Sequence, residues 1–154
     1  MSSPPIEVQI QRLPHGITNQ TPLPAYQTEH AAGLDIHACL DRPVTIDPGG
    51  IAMIPAGFAM AVPVGYEAQV RPRSGLAAKH GLTMPNTPGT IDADYRGEVR
   101  VPMINLGPAP VTIEPNQRIA QMIVKPVPRV AWQEVETLPG SARGAGGFGH
   151  TGTQ

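Results

Sequence analysis

Short apolar runs, most of them alternating with polar residues at a period of two, recur along the whole chain. They fall at residues 6–13, 34–38, 44–46, 51–54, 58–62, 66–70, 98–106, 111–113, 118–124 and 131–135. Successive side chains of a strand point to opposite faces, so this spacing predicts β-strands. Gly, Pro, Asn or Asp bounds each run, and these residues favour turns. One stretch reads differently: residues 74–80 predict a turn or two of helix, opened by Ser74 and closed by Gly81. Ten short strands and one short helix predict an all-β fold, a jelly-roll-like sandwich or barrel.

Composition narrows this picture. A chain of 154 residues fits one domain with a sizeable core. Hydrophobic residues make up 40% and charged residues 15%, a globular balance and not a disordered one. The 19 Pro and 17 Gly are spread along the chain, as turns and not as one linker. A net charge of −1 without a basic stripe argues against nucleic acid as a partner. The lone Cys39 allows no intrachain disulfide, and His15, His30, His37, His80 and His150 lack zinc-site spacing. Residues 1–13 do not read as a signal peptide and no run is long enough to span a membrane, so a cytoplasmic protein is expected. Residues 99–106 and 118–124 are smooth aliphatic runs, suited equally to a subunit interface or a well-filled core. The β domain is expected over residues 1–138, with a Gly-rich tail over 139–154.

Five segments carry candidate chemistry. Arg71-Pro72-Arg73-Ser74-Gly75-Leu76 ends a strand and starts the helix, where unpaired N–H groups, an arginine and a hydroxyl could cradle phosphate. The alternative is an ordinary serine N-cap beside two solvated arginines. Residues 86–97 hold Asn86, Asp92, Asp94, Tyr95 and Arg96, and read as a hairpin arm and loop. Asp92 and Asp94, two apart, would share a strand face, one as a general base and the other paired with Arg; a solvated turn accounts for Asp and Gly but not for Tyr95. Along 118–124, alternation puts Arg118, Ala120 and Met122 on one face and Ile119, Gln121 and Ile123 on the other. A buried Gln121 needs a ligand or an interstrand partner. Asp35 and His37 lie opposite Leu34 and Ile36, with a turn-linked salt bridge as the default for Asp35. Residues 143–152 hold five glycines around Phe148, which is either a frayed end or a flap that stacks on a flat anionic ligand.

Taken in order, residues 32–38, 72–77, 89–97 with Asn86 ahead of them, 118–122 and 143–152 resemble the five motifs of the trimeric deoxyuridine triphosphatases (dUTPases). Each motif is weak alone; five in register are highly specific. His150 stands where many members carry Ser. The resemblance implies a jelly-roll homotrimer with a flexible C-terminal tail and three active sites shared between chains. It implies hydrolysis of dUTP to dUMP and pyrophosphate with Mg²⁺, keeping uracil out of DNA and supplying dUMP for dTMP synthesis. By the same resemblance, Asp92 activates the attacking water and contacts the sugar, and Tyr95 packs under the deoxyribose. Asn86 and nearby backbone, that of Thr90 and Arg100 included, read uracil, with Ile91 as a further substrate contact. Arg73, Ser74, Gly75 and Gln121 hold phosphates, and Asp35 touches the metal only through water. Arg143 reaches the γ-phosphate while Phe148 stacks on uracil. A dCTP deaminase of related fold, releasing ammonia, and a non-catalytic nucleotide-binding trimer are the competing readings; Asp92 and the complete tail argue against both.

Overall fold

Period-two alternation broken by Gly and Pro builds ten strands and two short helices among residues 5–147, which a computed structural model of the chain describes. In chain order these are β1 (Gln9–Arg12), α1 (Pro14–Thr18), β2 (Leu34–His37), β3 (Val44–Ile46), β4 (Ile51–Ala61) and β5 (Tyr66–Pro72). They are followed by α2 (Ser74–His80), β6 (Leu82–Thr83), β7 (Gly89–Ile91), β8 (Glu98–Asn105), β9 (Val111–Ile113) and β10 (Arg118–Pro126). One antiparallel sheet runs β1-β4-β8-β6, a second runs β2-β10-β5-β7, and β3 and β9 form a ribbon. The all-β, jelly-roll-like expectation holds. Phe58, Val99, Val101 and Met103 of the first sheet and Ile36, Val70, Ile119 and Met122 of the second belong to one buried core. Burying each such large side chain contributes roughly 1.5–3 kcal/mol, which makes this core the main stabiliser.

Several strands differ from expectation. Residues 51–54 and 58–62 are not two strands, because β4 runs through both. Gly57 (φ +74°) bulges between them, and the register with β8 jumps from Pro55–Arg100 to Ala59–Glu98. The two-residue β6 and three-residue β7 are too short to leave a periodic signal. Helix α1 was not expected either; its proline sits at the first turn, where no N–H is needed. It is seated on the bulge so closely that a Cβ on Gly16 would collide with the Gly57 carbonyl.

Residues 131–135 alternate like a strand but form none, and no strand among the described residues pairs with them. Trp132 is 93% exposed there, and Val130 and Leu138 are exposed with it. No described helix is long and apolar enough to cross a membrane.

Candidate active site

β7 pairs with β5 in one sheet, whereas β8 pairs with β4 and β6 in the other. The link between β7 and β8 therefore crosses a sheet corner and is not the hairpin read from the sequence. Asp92 and Asp94 consequently lie in a turn after β7, exposed, and not side by side on a strand face. The Tyr95 N–H closes that turn on the Asp92 carbonyl at 3.2 Å. A cleft of about 350 Å³ opens at this corner, lined by Asn86, Thr90, Ile91, Asp92, Tyr95 and Arg100. Met53, Val70, Met84 and Pro102 supply its apolar walls, and none of these four was singled out from the sequence. Asn86 packs against Gly89, where a Cβ would stand 3.2 Å from its amide nitrogen. The Tyr95 hydroxyl donates to the Glu98 carbonyl at 2.9 Å, which fixes the ring at the cleft edge.

The Glu98 carboxylate, also at this cleft, is almost wholly covered. It accepts from the Gly57 N–H (3.1 Å) and Arg100 Nε (3.1 Å), and its Oε1 lies 2.6 Å from His15 Nε2. Burial pushes its pKa up, but these three partners outweigh burial and hold it below 4.5.

A second cleft, of about 380 Å³, gathers Arg73, Ser74, Gly75 and Gln121, with Asp35 and Arg118 beside them. Ser74 is the first residue of α2 and not its cap; Arg73 holds the N-cap position and makes no side-chain cap bond. Ser74 thus lines the cleft without holding the cap position. Gln121 donates to the Pro72 carbonyl at 3.2 Å, an interstrand partner, and lies against Gly33, where a Cβ would stand 2.5 Å from its Oε1.

Arg118 was placed by alternation with Ala120 and Met122, away from Gln121. A bulge between Arg118 and Ala120 inserts one residue and reverses this, so that Arg118 faces His37 while Gln121 faces Asp35. Ile119 and Ala120 are then both buried. Asp35 is bound by Arg118 Nη1 (3.1 Å) across the strands and approached by Arg73 Nε (3.6 Å), so its salt bridge is cross-strand and not turn-linked. Arg118 lines the cleft although spacing gave it no site role.

Among the described residues none lines both clefts. Arg143 lines neither; its Nε donates to the Gly146 carbonyl at 2.7 Å inside a tail turn. Phe148 lies outside the described residues. Among the described residues no group of three or more His, Cys, Asp or Glu could cage a metal ion.

A family model described as dUTPase matches residues 19–152. The deoxyuridine 5'-triphosphate nucleotidohydrolase of Desulfotalea psychrophila is 62% identical over 135 residues, covering 88% of this chain and 90% of that protein. A Staphylococcus bacteriophage 80alpha dUTPase solved with dUPNHPP superposes with a TM-score of 0.84 at 25% identity, over 96% of this chain and 99% of that one. A point mutant of the dUTPase from phage phi11 of S. aureus, solved with a structural Mg(II) ion, shares the fold at a TM-score of 0.74. It is 22% identical over 85% of this chain and 97% of that one.

Proposed function

The chain belongs to the dUTPase family, and from that premise we propose that it hydrolyses dUTP to dUMP and pyrophosphate. The observation that carries this reading is the corner cleft: a nucleoside-sized cavity with an exposed carboxylate, Asp92, and a tethered phenol, Tyr95, at its edge. Asn86 and the backbone of Thr90 and Arg100 present donors and acceptors to a uracil edge, and Ile91 flanks the sugar. Tyr95, packed beneath the deoxyribose, leaves no room for a 2′-hydroxyl. A merely apolar wall rejects an added hydroxyl by only about 10²-fold, so rigidity of this ring matters.

Asp92 accepts a proton from water as the water oxygen bonds to the α-phosphorus. The bond from that phosphorus to the oxygen bridging to the β-phosphorus breaks, and pyrophosphate leaves. Arg73, Ser74, Gly75 and Gln121 hold the phosphates, with Arg143 reaching the γ-phosphate and Phe148 covering the base. Positioning and charge neutralisation carry most of such phosphoryl chemistry.

The donor set fits Mg²⁺ brought in on the triphosphate: the phosphates would supply the oxygens, and Asp35, already engaged by Arg118 and Arg73, would meet the ion only through water. Bound there, the ion would supply further neutralisation of the phosphate charge.

Because the two clefts share no described residue, a complete site is best supplied by facing clefts of neighbouring copies, which supports a homotrimer. The exposed Val130, Trp132 and Leu138 suit an arm that docks on a neighbour, ahead of a flap over residues 139–154. In the cytoplasm this activity would keep uracil out of DNA and supply dUMP for dTMP synthesis.

Asp92→Asn tests the chemistry. Turnover of dUTP should fall by about 10²–10⁴-fold, while the Kd for a non-hydrolysable imido analogue stays unchanged. Near-normal hydrolysis by that variant removes Asp92 as the base.

A further inference from the structure

The bulge in β4 leaves a gap in the ladder at the point where β8 begins, since the register skips from Pro55–Arg100 to Ala59–Glu98. A side chain fills it: Glu98 Oε1 accepts the Gly57 N–H that no strand carbonyl receives (3.1 Å). The same oxygen lies 2.6 Å from His15 Nε2 on α1, and Oε2 accepts from Arg100. Helix α1 cannot drift from this spot, because the Leu13 N–H donates to the Gly57 carbonyl at 2.9 Å and Gly16 abuts Gly57. Glu98 is in turn the residue whose carbonyl receives the Tyr95 hydroxyl at 2.9 Å. Gly97 completes the seat, since a Cβ there would stand 2.6 Å from the Tyr95 Cζ.

We propose that the His15–Glu98 pair, clamped on the Gly57 bulge, is the positioning device that holds the Tyr95 ring and so sets how strictly the sugar pocket refuses a 2′-hydroxyl. Neither residue needs to touch the substrate. The pair anchors the first residue of β8 to α1 and β4, and the phenol hangs from that anchored carbonyl. A charge-assisted bond of this length is among the stronger ones a protein makes, and its loss lets the start of β8 move. The carboxylate, held below its usual range by these partners, stays ionised throughout neutral pH. This inference rests on Tyr95 being the wall under the sugar.

Steady-state kinetics of the full chain with Mg²⁺, on dUTP and UTP separately, decide it. His15→Ala should lower the dUTP/UTP ratio of kcat/KM by about tenfold, the scale of one lost charge-assisted bond. The change should appear as a smaller KM for UTP and not as a smaller kcat for dUTP. His15→Gln, which keeps a donor near the same place, should restore most of the ratio. Thr18→Ala removes only an exposed bond within α1, to the Pro14 carbonyl, and should leave the ratio as it is. An unchanged ratio in His15→Ala, alongside a lowered one in Tyr95→Ala, overturns the clamp. An equal fall in Thr18→Ala overturns it too, since loosening the helix would then suffice. If Tyr95→Ala itself keeps the ratio, the wall reading fails, and the clamp with it.

Discussion

His37 sits on the face of β2 that carries Asp35, and its Nδ1 is buried without a hydrogen-bond partner. Desolvation holds its pKa below 6.5; Asp35 pulls it up, while Arg118 and Arg73 push it further down. The unfolded chain therefore takes up a proton that the folded chain refuses. Stability is complete above the unfolded value near 6.5 and is lost as pH falls from there through the lowered folded value. Glu98 acts in a separate window: its lowered pKa withdraws stability only below 4.5. The denaturation midpoint should thus decline as pH falls below about 6.5, and decline less in His37→Gln. Equal declines in both proteins would remove His37 as the cause.

Gly57 is the joint on which β4, α1 and β8 meet. Its φ of +74° suits glycine, and a Cβ there would stand 2.7 Å from Cys39 Sγ and 2.8 Å from the Gly16 Cα. Gly57→Ala should cost about 1–3 kcal/mol, read as a lower urea midpoint with an unchanged slope. A midpoint equal to the wild type would show that the bulge relaxes freely. Bulges also mark where the sequence stopped being readable. Alternation located β5 and β8 because each buries one face, but in β10 the residue inserted between Arg118 and Ala120 turned Arg118 toward Asp35 with no local signature. Pairing was hidden as well. Nothing in residues 89–97 says that β7 and β8 join different sheets, and so Asp92 and Asp94 were placed on a shared strand face that does not exist. The composition of the two clefts was legible as motifs, whereas Met53 and Pro102, set in place by the partner strand, were not.

Across the whole molecule, the two clefts proposed for nucleoside and phosphates are built by separate parts of one chain, and the segment after β10 leaves an exposed Trp132. Both facts support the proposed homotrimer, in which neighbouring copies would complete the site. Truncation before Arg143 should leave a folded trimer by light scattering with a large loss of kcat; full turnover by the truncated protein would dismiss the tail as a flap. The motifs that announced the family are spread over both clefts and the tail, which is why recognition succeeded where geometry had to wait for the fold. The most direct test is incubation with dUTP, dCTP, dTTP and UTP, each with Mg²⁺, measuring pyrophosphate and ammonia together. Pyrophosphate should form from dUTP in step with dUMP, with no ammonia from any of the four. Ammonia released from dCTP, or no pyrophosphate from dUTP, would contradict the account.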